Sequence, residues 1–381
     1  MRDRLIEQRR EALDPGARPF VMGGRLVRIR DQNILFSPTR QALYALNDTG
    51  ADIWRSLEDG LSPELISSEI VSCGVDRHQA VRYVEAALRQ WDRLGLIRVS
   101  PASFSTSSQR HVSQVVAVAG RCVRIVYPPA HAFPAATILR HLEVRGEVAD
   151  VTLQLVEHRD RIHLFRDRHW ILSCTSDELA TVLKGQLLTE VLERVDYELA
   201  IHTASLIRDD RILLLCGSPG AGKTTLALGL VHAGYGFAGD DVVLLDSLGH
   251  AVGIPFAPAV KAGAWPVLSG YYPDLNAAPV FRRPDRRRVR YLVPREVVSP
   301  RPRTVGWVFL LRRRAKASAV LAPVDPVGAL RGLLNGSFAS GGKLTGNAFK
   351  VLTEVIGSAH VYCLAYSRLG DAIALIQKVC Q

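Results

Sequence analysis

Residues 217–224, Gly-Ser-Pro-Gly-Ala-Gly-Lys-Thr, constrain the fold of this chain more than any other stretch. They match the Walker A spacing, which carries meaning only where a strand precedes it and a helix follows. Both are expected here. Arg211–Cys216 (RILLLC) is a short apolar run bounded by Asp209-Asp210 and a glycine, the pattern of a buried parallel strand. After the motif, Thr225–His232 reads as a helix with Leu226, Leu228, Leu230 and Val231 as its apolar residues. Glycines let backbone N–H groups turn inward around phosphate oxygens, and the helix N-terminus adds its dipole. Gly217, Ser218, Pro219, Gly220, Ala221 and Gly222 would form the cradle. Lys223 would reach the terminal phosphates and the Thr224 hydroxyl would ligate magnesium, with Thr225 beside it. No Asn-Lys-x-Asp motif for reading guanine is present, so ATP with Mg2+ is the expected ligand.

The next element follows closely. Gly234 ends the helix, Tyr235–Ala238 reads as a brief strand, and Gly239-Asp240-Asp241 closes it before the apolar run Val242–Leu245. One short crossover should place both carboxylates at the carboxyl edge of a neighbouring strand, beside the phosphate loop. One can hold magnesium while the other accepts a proton from an attacking hydroxyl. The sequence does not say which of Asp240 and Asp241 has which task. The basic run Arg282–Arg290 reads either as a solvated loop or as a clamp on phosphate or an acidic acceptor, with Arg288 and Arg290 as contacts. No aromatic residues interleave with these arginines, which disfavours a nucleic-acid platform.

At 381 residues the chain exceeds one typical domain. Its 48% apolar and 22% charged residues exclude a disordered chain, and the +11 net charge suits anionic partners. Six scattered cysteines form no CxxC pair, so a zinc site or disulfide framework is not expected and a reducing cytoplasm is. No apolar run reaches the ~18 residues of a spanning helix. From Pro19 to Tyr44 short alternating runs read as three small strands, and three helices follow, opening at Asn47-Asp48, Ser62-Pro63 and Asp76. Residues 1–18 read as a polar arm. Ser100–Gln109 is serine-rich and aperiodic, the best linker candidate. Residues 110–200 offer strands and one helix but no chemistry. Histidines 111, 131, 141, 158, 163 and 169 lack metal-ligand spacing and read as surface or packing residues.

The order His202-Thr-Ala-Ser, then the Walker A loop, then Gly239-Asp-Asp-Val-Val resembles the catalytic core of the HPr serine kinase/phosphorylase family, and more closely the related kinases of peptide natural-product clusters. The resemblance covers roughly 110–381. It implies an α/β P-loop kinase domain that uses ATP and magnesium to phosphorylate a serine hydroxyl, with Lys223, Asp240, Asp241 and His202 catalytic and Thr224, Asp240 and Asp241 around the metal. On the residues alone His202 is a core or capping histidine. Two departures are visible: Thr224-Thr225 stands where the serine kinase proper has Ser-Glu, and its Glu-Ile-Arg-Gly-type segment is absent. Lys261, after a proline-rich strand, looks like a lysine of the related kinases and could touch nucleotide or acceptor. The parent family forms hexamers, which leaves a homo-oligomer open.

Residues 19–99 resemble the PqqD-type fold of ribosomal peptide modification, a small α+β, winged-helix-like domain, through Tyr44-Ala-Leu-Asn-Asp-Thr-Gly-Ala-Asp-Ile-Trp54 and two amphipathic helices. Such modules add a leader peptide as a strand to a sheet edge. The edge expected here is Ala42–Leu46 or Ile34–Phe36, facing Arg77, Val81 and Glu85 of the third helix. The resemblances together imply a PqqD-like domain over 1–99, a linker over 100–110 and a kinase domain over 111–381. They imply a cytoplasmic kinase acting on a precursor peptide, such as the C-terminal serine of a lasso peptide precursor. Two rivals stand beside it: a nucleotide-switched peptide- or DNA-binding regulator, and a small-molecule kinase.

Overall fold

Capped helices and short alternating strands account for the first part of the chain. The computed structural model describes residues 19–38, 40–98, 111–158, 161–167, 169–293, 298–316, 318–339 and 344–380. The arm expected at 1–18 and the linker expected at 100–110 lie outside these residues. Two compact units emerge. One comprises the described residues of Met1–Gln114, Arg124–Ala132 and Asp150–Ser176, the other those of Val115–Val123, Phe133–Ala149 and Asp177–Gln381.

In the first unit, β1 (Phe20–Val21), β2 (Arg25–Ile29), β3 (Gln32–Ser37) and β4 (Ala42–Leu46) lead into α1 (Asp48–Glu58), α2 (Pro63–Ser72), α3 (Arg77–Arg93) and β5 (Ile97–Arg98). Each helix starts where a side chain can satisfy a free backbone N–H. Asn47 accepts from Gly50, Ser62 from Leu65, and Asp76 from Gln79. Trp54, Leu57, Ile66, Val84, Leu88 and Trp91 form the core, with the two indoles edge-on at 5.1 Å. The antiparallel sheet runs β2-β3-β4. Ile34–Phe36 therefore lies on the central strand, and of the two edges expected only Ala42–Leu46 is one.

Next come β6 (Val112–Val118), β7 (Arg121–Tyr127), α4 (Pro129–Thr137), β8 (Val151–His158), β9 (Arg161–Arg166) and β10 (His169–Cys174). The five strands form one sheet in the order β10-β9-β8-β7-β6. Val156, Phe165 and Trp170 join the core around Trp54 and Trp91, which is why 150–176 groups with the first unit. Glu85 of α3 is buried there and ion-paired with Arg161 at 2.9 Å. Glu85 is therefore not on an open helix face as expected; Arg77 is exposed and Val81 half-buried.

The second unit continues with α5 (Leu179–Arg194), β11 (Leu199–Ile201), β12 (Ala204–Arg208), β13 (Arg211–Cys216), α6 (Lys223–His232), β14 (Gly236–Gly239), β15 (Val243–Leu245), β16 (Ala251–Gly253) and β17 (Ala259–Lys261). It closes with α7 (Trp265–Leu268), β18 (Phe281–Arg282), β19 (Arg288–Tyr291), β20 (Val305–Arg313), β21 (Val320–Pro323), α8 (Pro326–Leu334), β22 (Ser337–Ala339), α9 (Gly346–Ser358), β23 (His360–Tyr366) and α10 (Leu369–Val379). Its main sheet runs β14-β12-β13-β20-β23-β21. The strand β13 is buried on both faces: Leu213 and Leu215 meet α6 and α10, while Ile212, Leu214 and Cys216 meet α8 and α9.

Two expectations need correction. The strand β13 is parallel only to β20; on its other side it forms an antiparallel hairpin with β12. Asp209 and Asp210 make that turn with φ of 49 and 59°, a left-handed conformation that Asp tolerates better than most residues. The hairpin also separates β14 from β13, so the strand ending at Asp240-Asp241 is next-but-one to β13 rather than its neighbour.

Candidate functional site

The loop from Gly217 to Gly222 leaves the carboxyl end of β13 and enters α6. Gly220 and Gly222 adopt φ of 91 and 93°, which only glycine reaches cheaply. Ser218, Pro219 and Gly220 are exposed at the loop's tip, whereas Ala221 is buried. A Cβ on Gly222 would come within 2.4 Å of the Tyr366 hydroxyl, which donates to the Ala221 carbonyl at 3.1 Å. Arg313, at the end of β20, has its guanidinium 5.7 Å from the Tyr366 ring. Thus β20 and β23 brace the loop from the side. Lys223 is buried and donates to the Gly217 carbonyl at 2.8 Å, closing the loop on itself.

Opposite the loop stands the carboxylate pair. The Thr224 hydroxyl lies 3.2 and 3.0 Å from the two oxygens of Asp240. Asp240 is 2% exposed. Burial pushes its carboxyl up to about 6, and the charge of Asp241 adds to this while Lys184 and Thr224 oppose it. Asp241 differs. Its side chain is 35% exposed, and its Oδ2 lies 2.5 Å from the Lys184 ammonium. Burial works to raise its carboxyl, but Lys184, then His202 and Arg283, outweigh burial and hold it below the ordinary range.

The chain changes sheets at this pair. Its backbone passes so close to residues 253–254 that a Cβ on Gly239 would sit 2.4 Å from the Ile254 carbonyl oxygen, and one on Gly253 would sit 2.7 Å from that of Ala238. Asp241 completes the turn with φ of 84°, unfavourable for a residue with a Cβ. The result aims the adjacent side chains differently, one into the protein and one toward solvent.

His202 follows β11, its N–H bonded to the Gly336 carbonyl at 2.7 Å. Burial and the Lys223 charge lower its pKa, opposed by the Asp241 carboxylate and a backbone bond to Asp241, so the ring is neutral and beside the pair. Lys261 ends β17, half-buried, and its charge acts on both His202 and Lys223. Arg288 and Arg290 lie over the Trp265 ring at 5.9 and 4.2 Å. From the same basic run, Arg283 is the arginine whose charge reaches Asp241.

Lys184 is the residue the sequence did not offer. It is a single lysine in an apolar helix, within the stretch to which no chemistry was assigned. A buried lysine needs a partner, but the sequence places that partner fifty-seven positions away. Of the histidines read as surface or packing residues, His131 lies 2.9 Å from a Glu157 oxygen, His141 bonds to the Pro255 carbonyl and His163 to Ser173.

The loop and pair fit a magnesium nucleotide. The loop's tip is open, its glycines leave room for backbone approach, and the adjacent Thr224 and Asp240 oxygens are the hard donors magnesium takes. Among the described residues no group of three or more His, Cys, Asp or Glu could hold a metal. Magnesium shared with phosphate oxygens does not need one.

Residues 32–97 match the family model described as Coenzyme PQQ synthesis protein D (PqqD). This segment is a PqqD domain. In its sheet β4 is one of the two edge strands, with Leu43 69% exposed. Among solved structures, the chain is similar to "TbiB1 in Complex with the TbiA(beta) Leader Peptide" at 26% identity, over 20% of this chain and 93% of that one, with a TM-score of 0.20. It is also similar to the Hpr(Ser) kinase/phosphatase from Coxiella burnetii at 15% identity, over 47% of this chain and 96% of that one, with a TM-score of 0.22. No curated protein matches the chain. Among the described residues no helix is long and apolar enough to cross a membrane. Beyond the PqqD domain, the functional reading therefore rests on the geometry of the second unit.

Proposed function

We propose that this protein is an ATP- and magnesium-dependent kinase that phosphorylates a serine hydroxyl of a ribosomally made precursor peptide recruited through its PqqD domain. The functional division is the leader-binding domain over 1–99, the linker over 100–110 and the kinase domain over 111–381. The observation that carries this reading is the pairing of Thr224 with buried Asp240 immediately beside half-exposed, ionised Asp241. A P-loop hydroxyl and a carboxylate within hydrogen-bond reach make the pair that holds magnesium. The neighbouring carboxylate, paired with Lys184, is then the one that acts as base.

The roles follow. Backbone N–H groups of Gly217–Thr225 bind phosphate oxygens, and Lys223 exchanges its bond to the Gly217 carbonyl for one to the terminal phosphates. Thr224 and Asp240 would hold magnesium, which when bound neutralises charge on the phosphates. Asp241 accepts the proton of the acceptor serine as its oxygen bonds to the γ-phosphorus. The bond from γ-phosphorus to the bridging oxygen breaks, and ADP leaves with that electron pair. Neutral His202 hydrogen-bonds beside Asp241, and Lys261 and Arg283 offer positive charge to the incoming anionic groups. Arg288 and Arg290, over Trp265, are further contacts for phosphate or an acidic acceptor.

The test is mass spectrometry of precursor peptides incubated with protein, magnesium and ATP. A gain of about 80 Da, the mass added on forming phosphoserine, is expected. Lys223→Ala and Asp241→Asn should each lower the rate by at least ~100-fold. Undiminished transfer by either variant, or nucleotide binding with no transfer to any peptide, would reject this reading.

A further inference from the structure

Lys184 is a buried charged side chain with several partners around its ammonium. It is 7% exposed, and its ammonium lies 2.5 Å from Asp241 Oδ2 and 3.2 Å from the Ala257 carbonyl. The rings of Phe256 and Tyr291 stand on either contact, each 5.8 Å from the nitrogen. The Tyr291 hydroxyl bonds back to Thr181, one turn earlier on α5, at 3.1 Å. The same loop is pinned again by His141, whose Nε2 is 2.7 Å from the Pro255 carbonyl. Thus α5 is tied both to Asp241 and to residues 256 and 257.

Two facts make this more than a stabilising ion pair. Buried ion pairs are weak sources of stability, because well-packed apolar residues do as well. Asp241 also sits at a left-handed φ of 84°, in the turn where the chain leaves one sheet for another. A carboxylate 35% exposed on such a turn depends on its polar partners for its direction, and Lys184 is the one bonded to it.

The geometry points to Lys184 as a positioning residue for phosphoryl transfer: its ammonium, anchored on the Ala257 carbonyl, holds the Asp241 carboxylate in the direction that meets the acceptor hydroxyl. This rests on the reading of Asp241 as the group that takes the acceptor's proton. Lys184 itself touches neither nucleotide nor acceptor.

The experiment combines two measurements on the full chain. In steady-state kinetics, Lys184→Met should lower kcat by ~30-fold or more, a part of what general-base catalysis supplies. Affinity for a fluorescent ATP analogue and the KM for ATP should stay within about 3-fold of wild type. In an Asp241→Asn background the same substitution should change the rate by no more than about 2-fold, since a residue acting only through Asp241 has nothing left to position. Independent effects that multiply, or a loss of nucleotide affinity as large as the loss of kcat, overturn the proposal. Lys184→Gln, which keeps a donor for Ala257 and removes the charge, replaces the methionine variant under the same criteria if that one does not fold.

The second measurement is amide hydrogen exchange on the nucleotide-free protein. Exchange at 239–243 and 253–258 should quicken in the variant while the β13–β20 core keeps its protection. Wild-type exchange in those segments overturns the link. Should the wild-type protein transfer no phosphate at all, the parent reading fails alone, and hydrogen exchange still decides whether Lys184 holds Asp241.

Discussion

At the residue scale the two aspartates are adjacent in sequence and opposite in environment. Asp240 is a buried carboxylate that accepts from the Thr224 hydroxyl, and its pKa stands near 6 against an ordinary value of 3.8. The sign of the linkage follows. Below about pH 4 Asp240 is protonated in folded and unfolded chains alike and costs nothing. Between about pH 4 and 6 the unfolded chain ionises first, so stability falls as pH rises; above 6 the full cost is present. Asp240→Asn should therefore stabilise the nucleotide-free, chelator-treated protein at pH 7.5 by on the order of 1–3 kcal/mol, read as a higher melting temperature. The gain should fade by pH 4. A variant that melts below wild type at pH 7.5 would show that Asp240 is stabilised by its surroundings, contrary to the burial argument. This is the pattern of a functional group held at a cost to the empty fold.

At the scale of elements, the phosphate loop depends on its neighbours for shape. Gly222 needs its φ of 93°, and its missing Cβ makes room for the Tyr366 hydroxyl that bonds Ala221. Gly222→Ala should cost about 1–3 kcal/mol of stability from backbone strain and displacement of Tyr366. It should also weaken nucleotide affinity more than Tyr366→Phe, which removes only the bond; equal affinities would mean the loop does not need the left-handed turn. This loop was legible in sequence because a motif with fixed spacing lay between an apolar run and a helical one. The capped helices of the first unit were legible for the same local reason, Asn47, Ser62 and Asp76 each marking a start. What escaped was set by pairings distant in sequence. Nothing in RILLLC says that β12, joined to it through Asp209-Asp210, lies between β13 and β14. Nothing in Ile34–Phe36 distinguishes a central strand from an edge. Lys184 and Asp241 meet only because α5 packs beside a turn between two sheets, and periodicity carries no record of that.

At the scale of the whole molecule, the proposed function joins a PqqD domain to a phosphate-loop unit in one chain. The physical consequence of such a pairing is effective concentration. A leader bound to β4 converts encounter of the acceptor serine with Asp241 into an intramolecular event, at an effective concentration of order millimolar for a flexible connection. No new contact at the catalytic end is needed, so the gain belongs in KM and not in kcat. A leaderless acceptor should accordingly show a KM ~100-fold or more above that of the full precursor, with kcat within about 2-fold. Free leader peptide should inhibit transfer to the full precursor by competition while leaving transfer to saturating leaderless acceptor untouched. Free leader that instead accelerates the leaderless acceptor would mean that the domain switches the kinase on rather than tethering its substrate, because a tether acts only on the molecule it is attached to. Equal KM values for the two substrates would dissociate the PqqD domain from catalysis altogether, and the acceptor would then have to be read from the Asp241 site alone.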